Sequence, residues 1–373
     1  DEGRANPAVS LYVTIDEATL EFKGSETKLE RVHVAANLRH DQLDSVVTEE
    51  WLSNPAFEHQ NDPKRLSELR PQLSFLHRLA KDLKARREVV RGKPENFNRP
   101  DYNFRLVGNN GAEPTGNEQV QISVRQRGAP LDLIVAEAMI VANSTWGSWM
   151  AELGVPGIYR SQASMAPGVK VRMGTKALPH AGIGVPCYAW STSPLRRYTD
   201  LVNQWQIVAA ARHGAAAALA APFKPKDTEL FAIIGGFDAA YTAYNGFQAA
   251  MERYWTLRYL RQQGITELGA SVIRTLPGQP PLVRADDLPL TLGLLSAPAD
   301  LARGEHLRLR VAELDEMSLD AWGQFIERSD GGEDTAGDED ESDEPEAGPI
   351  ALALDLTAEP DAAEAGSQQA DPA

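Results

Sequence analysis

One cysteine, Cys187, occurs in the 373 residues. Its solitude excludes an internal disulfide and any metal site built from several thiolates, and it fits a reducing compartment. With no histidine nearby in sequence, it reads as a small core residue rather than a nucleophile. Long apolar runs are missing too: no uncharged stretch approaches the roughly 20 residues that span a bilayer, and no secretory signal opens the chain, so a cytoplasmic protein with no membrane partner is expected. Clustered aspartates are scarce. Asp286-Asp287 is the only Asp pair; it falls in a proline-bounded loop that reads as a solvated turn, and no metal-ligating set is assigned. Bases are outnumbered, 37 against 53 acids, for a net charge of −16. That imbalance is local. Residues 329–373 hold 15 of the acids and no base, which leaves 38 acids against 37 bases in the rest. A nearly neutral body is free to carry a local basic channel, and net charge is no argument against a nucleic-acid partner.

What the chain does have is concentrated in Tyr188-Ala-Trp-Ser-Thr-Ser-Pro-Leu-Arg-Arg-Tyr-Thr-Asp-Leu201. Ser193 followed by Pro194 predicts a helix start, because a hydroxyl can cap free N–H groups and proline at the first helical position loses no needed donor. Arg196 and Arg197 then fall in the first turn, where the helix dipole disfavours cations unless an anion is bound. Thr192, Ser193, Arg196 and Arg197 thus form a candidate phosphate site. Tyr188, Trp190 and Tyr198 flank it as faces on which the bases of a single strand could stack. The plainer alternative pairs one arginine with Asp200 and buries the aromatics. A single carboxylate cannot serve both arginines equally, so one remains for a ligand or for an acid elsewhere.

A second candidate stands on the helix expected over 131–153. Glu137 has Leu133, Ile134, Ile140 and Val141 on its own side of the helix, and a carboxylate on an apolar face needs a specific partner. That partner is either an arginine or a ligand hydroxyl. Elsewhere the pattern predicts a strand over 9–15, a long helix over 66–91 with a basic end, loop over 92–118 and a strand over 118–124. After the turn at Pro156, Tyr159 and Arg160 lead into a basic loop with Lys170, Arg172 and Lys176. Helices follow from Pro194 to Arg212 and over 227–263, the latter with seven of its aromatics, Phe231, Phe237, Tyr241, Tyr244, Phe247, Tyr254 and Trp255, expected mostly in the core. From 270 to 328 short alternating runs suggest a small β-barrel. Arg308 and Arg310 point outward there, as phosphate contacts or as an ordinary polar face. The acidic remainder is expected to be disordered.

TSPLRRYTDL, at 192–201, resembles the TSP-I-R-R-Y-x-D-L signature of the ribonuclease II and ribonuclease R family. Upstream, Glu137-Ala-Met-Ile-Val-Ala-Asn143 resembles its E-x-M-x-x-A-N helix, and Gly154-Val-Pro-Gly-Ile-Tyr-Arg160 its G-x-P-x-x-Y-R turn. The three occur in family order at family-like spacing. The resemblance implies an α+β fold: a mixed sheet with long helices over 1–264 as the C-terminal part of the RNB-type catalytic domain, a small OB-fold β-barrel over 265–328, and a disordered acidic tail over 329–373. It also implies a 3′-to-5′ hydrolytic exoribonuclease acting on single-stranded RNA with magnesium, in which Arg196 stabilises charge on the scissile phosphate and Glu137 orients the terminal nucleotide. Tyr159, Arg160, Thr192, Ser193, Arg197 and the aromatics Tyr188, Trp190 and Tyr198 would line the RNA path or pack behind it. His40 stands where the family has a tyrosine near the end of the RNA. The D-x5-D-x-D-D stretch that holds the metals is not found, and the chain opens at Asp1 directly before a strand, so an N-terminally incomplete domain is expected, inactive by itself. Gln204-Trp205 replaces the family's usual His-Arg, and Trp190 its phenylalanine. A monomer is expected. The alternative is an RNA-binding module without hydrolytic activity; a helical interaction protein with an acidic recruiting tail is a third.

Overall fold

The structure is a computed structural model, and it describes residues 3–38, 43–54, 57, 64–95, 101–108, 115–125, 128–166, 168–329 and 351–352. Strand β1 (Ala5–Ile15) pairs antiparallel with β2 (Phe22–His33). Asp16 makes the reversal, its carboxylate accepting the N–H groups of Ala18 and Thr19 at 3.0 Å, the local bond for which Asp is favoured in turns. Thr48 then caps α1 (Glu49–Ser53), its hydroxyl accepting from Trp51 N–H at 3.1 Å. Trp51 of α1 is buried with Leu66 and Leu73 of α2 (Lys64–Arg91) and Leu131 of α3 (Pro130–Glu152).

Between α2 and α3 lies a hairpin of β3 (Asp101–Val107) and β4 (Gln119–Arg125). The expected loop over 92–118 is corrected here. Tyr102, Phe104 and Leu106 alternate with more exposed neighbours, as a half-covered strand requires, but the run is short and set among Asn, Pro and Gly. Past α3 come β5 (Tyr159–Ser161) and β6 (Arg172–Gly174), paired antiparallel. Beyond Ser329 the acidic tail is described only at β12 (Ala351–Leu352), which pairs in parallel with β6.

Helix α3 packs against the 187–189 segment at Gly147, where a Cβ would stand 2.8 Å from Cys187 Sγ and 3.3 Å from the Ala189 backbone nitrogen. Glycine is what lets these backbones approach. Trp146, Met150, Tyr159, Cys187, Ala189 and Ile207 share that core. Burial raises the Cys187 thiol to about 11, in keeping with a core residue.

Helix α4 (Tyr198–His213) precedes a short helical turn, Ala217–Ala220, and the long α5 (Thr228–Gln263), which Asp227 caps and Gly264 ends in the left-handed region. The aromatics of α5 are not mostly core, as the sequence suggests. None of the seven is fully buried, and Tyr244 and Phe247 are 62% and 64% exposed, because the helix bridges two packed bodies and its middle turns cross open surface. Its last turns put Leu257 and Leu260 into a closed five-stranded barrel in which β10 (His306–Asp315) neighbours β11 (Asp320–Arg328), followed by β9 (Thr291–Ser296), β8 (Leu282–Ala285) and β7 (Glu267–Arg274). Arg253 ties helix to barrel by donating to Leu319 O at 2.5 Å and Thr291 O at 2.8 Å. Arg308 and Arg310 lie outside, beside acids: Arg308 is 2.9 Å from Glu327 and Arg310 is 3.6 Å from Glu267. At the Asp286-Asp287 turn the Asp286 carboxylate accepts from the Ser271 hydroxyl at 2.9 Å.

Candidate nucleic-acid interface

The 188–201 window is built on two buried asparagines. Asn143 of α3 accepts the Ser191 N–H at 3.0 Å and its hydroxyl at 2.9 Å, and its own amide donates to Tyr188 Oη at 3.2 Å and reaches Thr192 Oγ1 at 3.5 Å. Asn203 of α4 accepts Ile158 N–H at 2.7 Å and donates to the carbonyls of Ile158 and Trp190 at 2.8 and 2.6 Å. A buried amide with every group satisfied fixes a backbone more strictly than apolar packing does. Gln204 donates to Ser191 O at 2.8 Å. Sequence reasoning assigned none of the three a role, although an Asn inside an apolar helical run, as in the quoted E-x-M-x-x-A-N motif, is a signal of a buried amide.

The helix does not begin at Pro194. Residues Pro194–Arg196 form a separate turn closed by Arg196 and Arg197 N–H groups on Ser193 O, at 3.2 and 3.0 Å, and α4 starts at Tyr198 with Arg197 at its N-cap. Asp200 is the reason. Fully buried, its carboxylate accepts Ser193 N–H at 2.8 Å and a two-pronged pair of bonds from Arg197, 2.9 Å from Nε and 2.8 Å from Nη2. The carboxylate that fastens Ser193 thus holds the preceding turn from inside the helix, and no side-chain cap bond is made at the helix N-terminus.

The same bond divides the two arginines. Arg197 is buried, held by Asp200 and laid over Trp190 with its guanidinium carbon 4.1 Å from the ring centroid; Arg160 lies 4.0 Å from that centroid. Arg196 is exposed at the end of the turn, and its side chain has no partner among the described residues. One arginine is thus structural and the other available, with the plane and charge that suit a phosphate.

The aromatics divide likewise. Trp190 is buried edge-on to Phe237 and Tyr241 of α5. Tyr188 is buried beside His180. Tyr159 is buried with its hydroxyl on Gly147 O at 3.2 Å, and burial raises its pKa. These pack behind the site. Tyr198 alone of the four faces solvent, edge-on to Trp205 at 6.1 Å. Thr192 and Ser193 are half-buried beside the turn, Arg160 joins the 187–189 segment through its N–H on Tyr188 O at 2.8 Å, and His40 lies outside the described residues.

Glu137 has an arginine for its partner. Arg87, near the end of α2, donates to both its oxygens, at 3.0 Å from Nε and more closely from Nη2, and also to Ile183 O at 2.6 Å and Glu95 at 3.0 Å. Burial works against the Arg87 charge, and the bonds to Glu137 with the pull of Glu95 outweigh it, so its pKa rises. In the sequence Arg87 is only part of the basic end of the 66–91 helix; its partner lies 50 residues away, beyond any local pattern. Among the described residues no group of three or more His, Cys, Asp or Glu could hold a metal ion, so no metal is assigned to them.

With this geometry in hand, known proteins fix the family. The RNB domain matches residues 1–169 and 164–213. The chain belongs to the RNB family. An uncharacterized ribonuclease of Synechocystis sp. is 28% identical over 170 residues, 39% of this RNB chain and 24% of that protein. In three dimensions the RNB chain is similar to the Dss1 exoribonuclease of Candida glabrata (TM-score 0.63, 20% identity, 87% of this chain and 43% of that one). It is equally similar to Mycoplasma genitalium RNase R, solved in complex with ribose-methylated single-stranded RNA (TM-score 0.65, 14% identity, 87% and 58%). The structural likenesses establish a shared fold, and the chain spans less than two thirds of each of these relatives.

Proposed function

We propose that this chain supplies the RNA-gripping part of a hydrolytic exoribonuclease that acts on single-stranded RNA from its 3′ end. The observation that carries the proposal is the division of the two arginines: Asp200 engages Arg197 fully and leaves Arg196 exposed. Charge left unpaired beside a fixed turn is arranged in advance for charge that develops on a phosphate, which is how such a group lowers a barrier. The buried Asn143 and Asn203 network and the stacked Trp190 support the backbone under it. Membership of the RNB family and likeness to two exoribonuclease folds support the reaction class.

Glu137 enters as a positioning residue, since Arg87 occupies both its oxygens. The family reaction takes magnesium; the described residues do not fit one, so the magnesium ligands of the proposal fall outside them and no step is routed through a metal here. No helix of the described residues is long and apolar enough to cross a membrane, and the proposal places the protein in the cytoplasm as a monomer. The rival reading is a binding module without hydrolysis. Incubation with a 3′-labelled single-stranded oligoribonucleotide and magnesium tests whether these residues hydrolyse RNA by themselves. Binding without mononucleotide release is expected of these 373 residues, and release by preparations cleared of host nucleases would overturn that expectation.

A further inference from the structure

The exposed side of α4 carries an aromatic pair that the phosphate site does not use. Tyr198 and Trp205, seven residues apart and so on one face of the helix, meet edge to face at 6.1 Å and 85° while staying 48% and 38% exposed. Half-buried Leu201 and Val208 lie on the same stripe. The stripe has a cation at each end: Arg196 in the preceding turn and Arg212 in the last turn, both exposed and neither with a side-chain partner among the described residues. Asp200, the only acid of the helix, is buried and engaged by Arg197. In a chain of net charge −16, this helix face presents aromatic and aliphatic surface between free positive charges, with no carboxylate of its own in the way.

We infer that Tyr198 and Trp205 form a base-stacking platform that holds a stretch of single-stranded RNA along α4, with Arg196 and Arg212 on its phosphates. Tyr198 and Arg212 stand about 21 Å apart along the helix axis at 1.5 Å per residue, room for several nucleotides. Exposed rings bracketed by cations are the chemistry of sequence-tolerant single-strand binding, because every base has a face to stack and every nucleotide a charge. Trp205 is the added element: it stands where the resembled motif carries arginine, so this chain replaces a cation with a stacking surface. The inference rests on the RNA-binding reading above and adds to it a second contact, with bases rather than with phosphate.

The test compares two probes, a single-stranded oligoadenylate and an abasic oligomer of the same length, for the unaltered chain, Trp205→Ala, Trp205→Phe and Tyr198→Ala. Loss of one stacked base corresponds to roughly a 5- to 150-fold weakening. Trp205→Ala should lose affinity for oligoadenylate within that range and bind the abasic oligomer as before, while Trp205→Phe keeps most of the oligoadenylate affinity. Tyr198→Ala gives the same readout should Trp205→Ala fail to fold. Unchanged oligoadenylate binding by folded Trp205→Ala would overturn the platform and leave the RNA-binding reading standing. A shift in sedimentation of that variant without change in RNA affinity would assign the face to a second copy of the chain and likewise overturn it. Failure of the unaltered chain to bind either probe would overturn both.

Discussion

Neutralising Asp200 with asparagine should unfold much of what holds the arginine turn while barely changing its shape. Asp200 is fully buried and receives three bonds of 2.8–2.9 Å, two from Arg197 and one from Ser193 N–H. An asparagine keeps one acceptor and turns the other toward Arg197 as a donor, leaving a buried guanidinium without its counter-charge. Removing one partner of a buried ion pair costs about 3–5 kcal/mol. The Trp190 face under Arg197, at 4.1 Å, offsets part of this, on the order of 1 kcal/mol, so a net loss of about 2–4 kcal/mol is expected. At roughly 2–4 °C per kcal/mol for a unit of this size, Tm should fall by about 4–16 °C. Arg197→Met should fall comparably, whereas Arg196→Ala, a substitution at an exposed site, should stay within about 0.5 kcal/mol of the unaltered protein. Thermal unfolding followed by circular dichroism measures all three. If Asp200→Asn melts with the unaltered chain, or if Arg196→Ala loses as much as Arg197→Met, the division of labour between the arginines is wrong.

Glu137→Gln should lose stability by a similar margin, because Arg87 would then be the buried charge without a partner; Arg87→Lys, which keeps charge without the fork, should lose less than Glu137→Gln in the same melts. Gly147→Ala should cost about 1–3 kcal/mol by overpacking, and adding Cys187→Ala should restore part of it, since Cys187 Sγ is the nearest atom to the new methyl at 2.8 Å. His180 is buried and, through burial first and Arg160 second, its pKa is lowered to about 3. It stays neutral in the folded chain while the unfolded chain takes up a proton below about pH 6.5, so its contribution is intact above that pH and is lost as pH falls toward 3, by about 2 kcal/mol at pH 5. His180→Gln should flatten the fall of Tm between pH 7 and 5; an unchanged slope would refute this.

The barrel was legible because its strands alternate: buried Leu307 and Leu309 are interleaved with exposed Arg308 and Arg310. The three longest helices were legible for the same reason, in their own period. The α4 start was not, because a Ser-Pro pair opens a turn as readily as a helix, and what decided between them was the long reach of Asp200 back to Ser193. The need of Glu137 for a partner could be read from its apolar face, but which partner could not, since it arrives from another helix. Of the two arginines, the sequence showed that one would be left over; which one depended on whose guanidinium could lie on Trp190 while reaching Asp200. Trp205 was visible as a departure from a motif, and only the folded helix face set it against Tyr198.

If Arg196 is held free for RNA phosphate, the salt dependence of RNA affinity reports it. Binding of a single-stranded oligoribonucleotide to the unaltered chain and to Arg196→Ala should be followed by fluorescence anisotropy across a range of salt concentrations, with melting curves recorded alongside. Loss of one phosphate contact on a single strand should lower the slope of log affinity against log salt by about 0.7, with weaker binding at low salt and an unchanged Tm. Equal slopes and equal affinities for the two proteins, both fully folded, would contradict the claim.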